Sequence, residues 1–470
     1  MRMAINYLTI CLFILVCGIV ESDEIKYLDA PKVVPGSTEE MQHPEFWISN
    51  IKGNPDKVIM TSEQIIELNK KNQTKSYLFK DVNGKTHKAR DENTILVCDP
   101  LSIESFPGEK VHSLLEENRK FLESRTFYDF RKRTWDEDMK KELLESTDVN
   151  SIPGTIIPRY GILVIHTENR KFPTDKRAWD EQNGWIPQFG TTSLDLGMPV
   201  AILHTSKDKD WYFVRSEIHF GWVPAVNVAI GSPKTLREYV NDKNYIVSCT
   251  YKVPIYSDSD TMDFLIDLYM GARVKLVKKA PDGYHVLVPF RMPDGSFAKV
   301  PGFVKSNTRV SVGYQPFTQS NVITTFFTVL YRPWAGGDSY HERHCAGGIR
   351  AVLRTFGILV PNSALQLYSS DHVIIFPKET PREIKYKYLD TCEPGITIIG
   401  SSDHVILYLG KLKDQYYVIH QTGYDYKVDD TTVMMVRRVN VNDSLLQGGS
   451  HVDTWTHFCV VKPPVMVEGR

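Results

Sequence analysis

The sequence predicts an α+β protein of several domains, in which a helical N-terminal region and two small β-barrels precede a mixed C-terminal domain. The chain has 470 residues, which is too long for one ordinary domain. Its hydrophobic pattern changes from a helical period to a period of two near Ile156, and becomes mixed after Tyr314. A layout of strands and turns occurs twice between these points. The predicted domains are residues 23–152, 153–235, 236–313 and 314–470.

The composition is that of a globular protein with almost no net charge. Hydrophobic residues make up 42% of the chain, enough for packed cores, and 56 Lys and Arg balance 57 Asp and Glu. Binding to nucleic acid or to an acidic membrane surface normally requires an excess of basic residues. We therefore expect no nucleic-acid partner.

Residues 1–22 have the pattern of a secretory signal peptide. Arg2 is followed by an apolar run over residues 7–16 and then by small and polar residues. We expect a secreted or extracellular protein, periplasmic or in the cell envelope if the host is bacterial, with no stable membrane span after cleavage. The alternative is an uncleaved N-terminal anchor, because residues 4–20 are almost long enough to cross a bilayer.

The cysteine count predicts at least one unpaired thiol. Removal of residues 1–22 leaves an odd number of cysteines in an oxidising compartment. The spacing does not determine whether the others form disulfides. The remaining cysteines are Cys98, Cys249, Cys345, Cys392 and Cys459.

The N-terminal region is predicted to supply packing helices. Thr61 and Gln64 form a capping-box pattern ahead of Ile65, and a second helix is expected over residues 111–125. The sequons at Asn72 and Asn442 match the glycosylation pattern, which arises often by chance.

The repeat in the middle of the chain predicts two barrels in tandem. Each copy has a glycine-led β-branched run, a strand that begins with an aromatic residue, and a Gly-aromatic-Val strand. The aromatic residues either bind a partner or fill the barrels, and the sequence does not separate these alternatives. The repeated elements begin at Gly197, Trp211 and Gly221 in the first copy and at Gly271, Tyr284 and Gly302 in the second.

A cysteine lies at the predicted start of a helix in the C-terminal domain. Cys345 precedes an apolar face that repeats at helical spacing, and Gly357 is a suitable stop. Unpaired backbone amides and the helix dipole lower the pKa of a thiol in this position, which favours a nucleophilic thiolate. The alternative is a small buried apolar residue. The apolar face comprises Ile349, Val352, Leu353 and Phe356.

Two histidines are predicted to lie on one face of a hairpin. Residues 403–409 and 415–420 form its strands, and a turn centred on Leu412 places His404 opposite His420. One imidazole can then take the thiol proton while the other holds its tautomer and orientation. The same register pairs Ile406 with Val418 and Tyr408 with Tyr416.

A metal site is the alternative use of these residue types. His341, His344 and Cys345 are close in sequence, and zinc accepts such ligands. Their spacing is irregular, so we predict no metal site.

The order and spacing of the motifs in the chain resemble those of a known family. The motifs are Phe46-Trp-Ile-Ser49, Asp56-Lys-Val58, Gly221-Trp-Val223, Trp334-Ala-Gly-Gly337, His344-Cys-Ala-Gly347, residues 350–358, Pro361 with Ser363 and Gln366, Glu393-Pro-Gly395, His404 to Gly410, and Val418-Ile-His420. Over nearly the whole mature chain, the sequence resembles the NlpC-type cell-wall cysteine peptidases, in the form with a helical N-terminal segment and two bacterial SH3-like barrels. The resemblance implies a papain-like α+β fold for the C-terminal domain.

The resemblance also implies a function, that of a secreted thiol protease. It assigns Cys345 as nucleophile, His404 as base and His420 as the orienting residue of an endopeptidase that hydrolyses peptidoglycan stem peptides, typically between γ-D-glutamate and the following diamino acid. No metal or organic cofactor is implied. An ion pair of thiolate and imidazolium leads us to expect a bell-shaped dependence of the rate on pH. The substrate-binding positions by this resemblance are Tyr331, Trp334, His344 and Ala346.

Several residues depart from the family pattern. His344 and Ala346 replace the usual aspartate and serine beside the nucleophile, Tyr331 lies three rather than two residues before Trp334, and Ile396 replaces an aspartate. The usual substrate preference is therefore in doubt. Two alternatives stay open, a catalytically inactive peptidoglycan-binding protein and a hydrolase of a different amide. The sequence gives no oligomeric state.

Overall fold

The computed structural model describes residues 26–73, 78–80, 82, 84–88, 97–182, 184–260, 262–361, 372–401, 403–429, 431–446 and 451–464. The predicted signal peptide lies outside these residues, as do Ser363 and Gln366. Within the described part of the chain, each helix is too short or too polar to span a bilayer.

The N-terminal region contains the two helices that the sequence predicts. The backbone amide of Gln64 donates to Thr61 Oγ1 and the amide of Thr61 donates to Gln64 Oε1, so the capping box is confirmed. Such a cap stabilises a helix by about 1 kcal/mol. The elements are β1 (Lys26–Asp29), α1 (Pro44–Ser49), α2 (Ser62–Lys71), β2 (Leu78–Lys80), β3 (Thr86–Lys88), β4 (Phe106–Pro107), α3 (Gly108–Glu123), α4 (Glu137–Ser146) and β5 (Thr155–Ile156).

The first β domain is a seven-stranded antiparallel sheet in the order β12-β6-β9-β10-β11-β7-β8. Helix α3 packs on it through Val111 and Leu115, which share a core with Trp211 and Trp222. Both tryptophans are buried. These two aromatic residues therefore fill the core of the domain and are not available to bind a partner. Its strands are β6 (Arg159–Leu163), β7 (Thr167–Arg170), β8 (Gly190–Leu194), β9 (Pro199–Thr205), β10 (Trp211–Ser216), β11 (Phe220–Pro224) and β12 (Val228–Ile230).

The second β domain repeats this architecture after helix α5 (Pro233–Val240). Its order is β15-β14-β18-β17-β16-β13-β19. The predicted boundary after residue 235 falls inside α5, where Leu236 packs with Ile162 and Ala229 of the first β domain. Its strands are β13 (Tyr245–Ser248), β14 (Lys252–Tyr256), β15 (Phe264–Tyr269), β16 (Arg273–Lys279), β17 (Gly283–Arg291), β18 (Phe297–Lys305) and β19 (Val310–Val312).

The sequence repeat corresponds to three consecutive strands in each β domain. Strands β9, β10 and β11 are neighbours in the first, and β16, β17 and β18 are neighbours in the second. Gly197 and Gly271 begin the two copies with φ of 81° and 80°. Glycine adopts this left-handed conformation without strain, which explains why both copies begin with it.

The C-terminal domain has a six-stranded antiparallel sheet in the order β20-β27-β21-β22-β23-β26. Strands β24 and β25 form a separate sheet with β1, which runs parallel to β25. The elements are α6 (Gln319–Phe327), α7 (Cys345–Arg354), β20 (Val373–Ile375), α8 (Arg382–Leu389), β21 (Thr397–Gly400), β22 (Val405–Leu412), β23 (Gln415–Gln421), β24 (Asp425–Lys427), β25 (Thr432–Met435), β26 (Val439–Asp443) and β27 (His457–Val460).

Helix α7 is buried on both of its faces. The predicted apolar face packs against the sheet in one cluster with Leu407 and Ile419, as expected. Its end is also as predicted, because Gly357 has φ of 77° and Ile358 N donates to Leu353 O. The polar face is covered by the first β domain, which the sequence pattern did not indicate.

The hairpin of β22 and β23 differs from its predicted register. Tyr408 pairs with Val418 rather than with Tyr416, and the pairing shifts between Tyr408 and Gly410. Leu409 is therefore an extra, bulged residue. Leu412 pairs with Gln415, so the turn lies at residues 413–414 rather than at Leu412. Three predicted backbone pairs are therefore wrong, namely His404–His420, Ile406–Val418 and Tyr408–Tyr416. The shared face is nevertheless correct, since Ile406, Tyr408, Tyr416 and Val418 lie in one buried cluster.

Both glycosylation sequons have buried asparagines. The side-chain amide of Asn72 donates to Leu359 O, and that of Asn442 donates to Asp443 O. A glycan requires an exposed amide, so the folded chain leaves no room for one at either position.

Candidate active site

The cysteine at the start of α7 lies beside the segment that carries His404. Cys345 Sγ is 3.9 Å from the carbonyl oxygen of Asp403, and the backbone amide of Val405 also faces the sulfur. Cys345 is a free thiol and is 5% exposed. The start of α7 thus places the sulfur of Cys345 beside the backbone of the two residues that flank His404.

The two predicted histidines are directly hydrogen-bonded. His404 Nε2 lies 2.6 Å from His420 Nδ1, and their rings meet edge to face. The contact forms although the predicted backbone pairing does not, because His404 lies just before β22 and its ring reaches over to the end of β23. The hydrogen bond holds the His404 ring in one orientation.

The structure corrects the expected ionisation of the thiol. Burial raises the pKa of Cys345 to about 11, although the backbone amides of Val405 and Ala346 act in the opposite direction. Desolvation of a buried charge therefore outweighs the helix start in this site. The position at the helix start alone predicts a lowered pKa for Cys345, because the depth of the side chain is not visible in the sequence.

The histidines are neutral for the same reason. Burial lowers the pKa of His404 well below its ordinary value, and the nearby His451 adds to this effect. Burial and the neighbouring imidazoles likewise lower the pKa of His420. The resting site accordingly holds a neutral thiol beside neutral imidazoles rather than a preformed ion pair.

A buried aspartate that the sequence argument missed organises the start of α7. Asp338 Oδ1 accepts hydrogen bonds from the backbone amide of His344 at 2.8 Å and from its Nδ1 at 2.5 Å. Its Oδ2 accepts from Arg350 and from the backbone amide of Ser193. Burial opposes ionisation, but His344 and Arg350 hold the pKa of Asp338 well below its usual range. A Cβ at Gly347 would lie 2.2 Å from Asp338 Oδ1, so the helix needs glycine there.

Buried polar groups join the first β domain to the residues just before α7. Arg343 donates to Ser193 Oγ at 2.9 Å and to Asp195 Oδ1 at 3.0 Å. At the C-terminal end of α7, Arg354 forms an ion pair with Glu217 of the first β domain at 3.1 Å. The polar face of α7 and the residues before it are therefore positioned by another domain.

The second β domain contacts the residues just before the nucleophile. Tyr251 Oη donates to Glu342 Oε1 at 3.1 Å, and the Arg332 guanidinium lies 3.8 Å from the centroid of the Tyr251 ring. Arg332 also forms a short ion pair with Glu342. Both β domains thus hold the segment that leads into α7.

Two of the predicted substrate-binding residues, Trp334 and His344, are partly exposed near the start of α7. The Trp334 ring lies 5.1 Å from that of Trp185, which projects from the first β domain. His344 is the N-cap residue of α7 and retains 18% side-chain exposure while bonded to Asp338.

The other two predicted substrate-binding residues lie elsewhere. Tyr331 Oη donates to Gln42 Oε1 at 3.3 Å, and Lys32 lies over the Tyr331 ring, so this tyrosine contacts the N-terminal segment. Ala346 has its side chain in the buried core and contributes only its backbone amide near the sulfur. The structure does not bring these two side chains to the histidine pair.

Two further aromatic side chains border the site. Tyr424 Oη donates to Asp403 Oδ1 at 2.9 Å, and its ring lies 4.8 Å from that of His404. The ring of His451 lies 5.4 Å from that of His420. Neither residue belongs to a periodic element of the sequence, so a pattern-based search had no signal for them.

The metal set considered in the sequence is not assembled. The ring of His341 lies 5.6 Å from that of His166 in the first β domain, whereas His344 bonds to Asp338. Cys345 faces the backbone of Asp403 instead. The three side chains therefore point to different partners.

Comparison with known proteins identifies the fold. A family model described as an SH3 domain of the SH3b1 type matches residues 183–224, within the first β domain. A structure described as a novel NlpC/P60 endopeptidase from Photobacterium damselae subsp. piscicida is similar at a TM-score of 0.70 and 16% identity, over 93% of this chain and 100% of that chain. The likeness shows a shared fold, so the predicted papain-like α+β architecture with SH3-like domains is confirmed.

Two other solved structures are similar at lower TM-scores. An NlpC/P60 family protein from Bacillus cereus has a TM-score of 0.43 and 16% identity, over 58% of this chain and 83% of that one. NlpC2 from Trichomonas vaginalis has a TM-score of 0.22 and 14% identity, over 61% and 96%. A search of curated proteins found no match.

Proposed function

We propose that the protein is a secreted cysteine endopeptidase that hydrolyses peptidoglycan stem peptides between γ-D-glutamate and the following diamino acid. The observation that carries this proposal is that Cys345, His404 and His420 lie in neighbouring segments although they are distant in sequence. Cys345 faces the segment of His404, and His404 is hydrogen-bonded to His420. The shared fold with an NlpC/P60 endopeptidase supports the same conclusion.

The first half of the reaction uses His404 as a general base. As the Cys345 sulfur attacks the scissile carbonyl carbon, His404 takes the thiol proton, so the buried charges form only during attack. Backbone amides at the start of α7 stabilise the negative oxygen of the tetrahedral intermediate. The intermediate collapses when the carbon–nitrogen bond breaks, and His404 donates its proton to the leaving amine. A thioester remains on Cys345.

The second half releases the acyl product. His404 takes a proton from water, the resulting hydroxide attacks the thioester, and the sulfur leaves and regains the proton. His420 acts as a positioning residue, because its hydrogen bond fixes the His404 ring throughout. The two β domains are proposed to shape the substrate cleft, since both contact the segment before Cys345.

A competing function is binding to peptidoglycan without turnover. The replacements at His344 and Ala346 favour it, because the family's usual carboxylate and hydroxyl are absent at these positions. Asp338 supplies a carboxylate next to His344, but this group is buried and fully hydrogen-bonded.

Product analysis separates the two functions. Purified muropeptides are incubated with the wild type, with Cys345→Ala and with Cys392→Ala, a control at another thiol whose pKa burial raises to about 11. We expect the wild type and Cys392→Ala to release fragments with a new amine on the diamino acid, detected by mass spectrometry, and Cys345→Ala to release none. Tight binding without products would instead support the binding protein.

A further inference from the structure

A third histidine lies against the proposed catalytic pair. His404, His420 and His451 are all buried, and one nitrogen of each lies within 4.8 Å of the others. His451 approaches from the segment before β27, and its ring lies 5.4 Å from that of His420 and 6.2 Å from that of His404. The proposed peptidase mechanism has no use for this third imidazole.

His451 carries a polar atom without a partner. Its Nδ1 is buried and has no hydrogen bond within the described residues. The ring of His451 also packs on Trp455, with centroids 5.5 Å apart. Native proteins rarely bury a ring nitrogen without a partner, so its presence beside two other imidazoles points to a ligand that all three share.

We infer that His404, His420 and His451 form a binding site for Zn²⁺. Neutral imidazoles are preferred zinc ligands, and three protein ligands with one open position is a common zinc arrangement. Zinc–nitrogen bonds of about 2.0–2.1 Å place the ligand atoms of a tetrahedral site roughly 3.3 Å apart. The nitrogens here span up to 4.8 Å, so side-chain shifts of about an ångström close the site.

Zinc would replace the hydrogen bond between the first two rings. His404 Nε2 and His420 Nδ1 are 2.6 Å apart and share one proton. When both nitrogens bind the metal, that proton moves to the other nitrogen of its ring, so each imidazole stays neutral. The fourth position of the metal is left for water.

Metal binding would switch off the proposed peptidase. A cation on His404 lowers the basicity of its ring and holds it away from the orientation that His420 imposes. This inhibitory effect rests on the proposed function. The binding of zinc does not, and it is measured separately.

Calorimetry on an inactive variant tests the binding. Zn²⁺ is titrated into Cys345→Ala, which lacks the thiol as a competing ligand, and we expect one ion per chain. The double variant that combines Cys345→Ala with His451→Phe should bind Zn²⁺ at least tenfold more weakly than Cys345→Ala alone. The matched control adds His285→Phe, since His285 is a half-buried histidine of the second β domain that contacts Phe303, and should leave the affinity unchanged.

X-ray absorption at the zinc edge provides a test that does not depend on the folding of a variant. In the wild type loaded with one equivalent of zinc, three imidazole nitrogens at about 2.0 Å would support the site, and one or none would overturn it. An affinity that is equal with and without His451→Phe would also overturn it. If zinc binds as expected but the apo protein hydrolyses no muropeptide, the metal site stands and the proposed function fails.

Discussion

Arg343 donates to Asp195 Oδ1 at 3.0 Å, and this buried contact joins the residues before Cys345 to the first β domain. Asp195 also bonds to His166 at 2.8 Å. Burial opposes its ionisation, but Arg343 and His166 keep the pKa of Asp195 below its usual value. The first β domain is thus part of the framework of the candidate active site rather than an appended binding module.

Asp195→Asn should therefore destabilise the protein and reduce turnover. The change removes the carboxylate charge to which the buried guanidinium of Arg343 is hydrogen-bonded, and breaking a buried ion pair in this way costs about 3–5 kcal/mol in comparable cases. We expect a lower midpoint in chemical denaturation together with a lower kcat. The control is Glu67→Gln, which breaks the exposed Lys70–Glu67 pair and should change the free energy of unfolding by about 1 kcal/mol or less. Equal effects of the two variants would contradict this account of the interface.

The His404–His420 hydrogen bond predicts a specific kinetic signature. His420→Ala removes the group that orients the base, so kcat should fall by about 10²–10⁴ while KM changes little. His420→Asn keeps an oxygen that can accept a hydrogen bond from His404 and should retain more of the rate. An Asn variant no better than the Ala variant would indicate that His420 has a different role.

The pH dependence of activity should be a broad bell. Burial lowers the pKa of His404 below its ordinary value and raises that of Cys345 to about 11. The value of kcat/KM should therefore rise at acidic pH as His404 loses its proton, stay level through neutral pH, and fall only towards pH 11. Initial rates on a muropeptide across this range give the profile. A narrow maximum with both limbs close to neutrality would show that a preformed ion pair exists instead.

The buried histidines predict that stability falls with acidification. The pKa of His451 is lowered by burial to about 4, and those of His404 and His420 are also lowered. Below the ordinary histidine pKa the unfolded chain takes up protons that the folded chain does not, so stability is lost as the pH falls. Each histidine contributes up to about 1.4 kcal/mol per pH unit.

His451→Phe isolates one of these contributions. Denaturation midpoints measured between pH 7 and pH 5 should show a shallower pH slope for this variant than for the wild type, because one proton fewer is taken up on unfolding. His285→Phe serves as the control. An unchanged slope for His451→Phe would mean that His451 is protonated in the folded protein.

The elements with strong local signals were predictable from the sequence. The capping box at Thr61, the duplicated strand layout and the helix that begins at Cys345 each follow from a repeated pattern or from a short-range hydrogen bond. The proximity of His404 and His420 also follows from the sequence, because a hairpin limits where these two residues lie.

The partners of the site were not predictable in the same way. Asp338, Asp195 and His451 act through contacts between segments far apart in the chain, and single buried polar residues leave no periodic signal. The hairpin register differed from the prediction because the turn lies at residues 413–414 rather than at Leu412 and because Leu409 is bulged. Burial also reversed the expected pKa of Cys345, because the depth of a side chain depends on the whole fold.

The most direct test of the central claim is detection of the acyl-enzyme. Wild-type protein turning over a muropeptide is quenched in acid, which preserves thioesters, and is digested for mass spectrometry. We predict that the peptide containing Cys345 carries the mass of the acyl half of the substrate, and that Cys392 carries none. Product formation without an adduct on Cys345, or with the adduct on another residue, would contradict the assignment of Cys345 as the nucleophile.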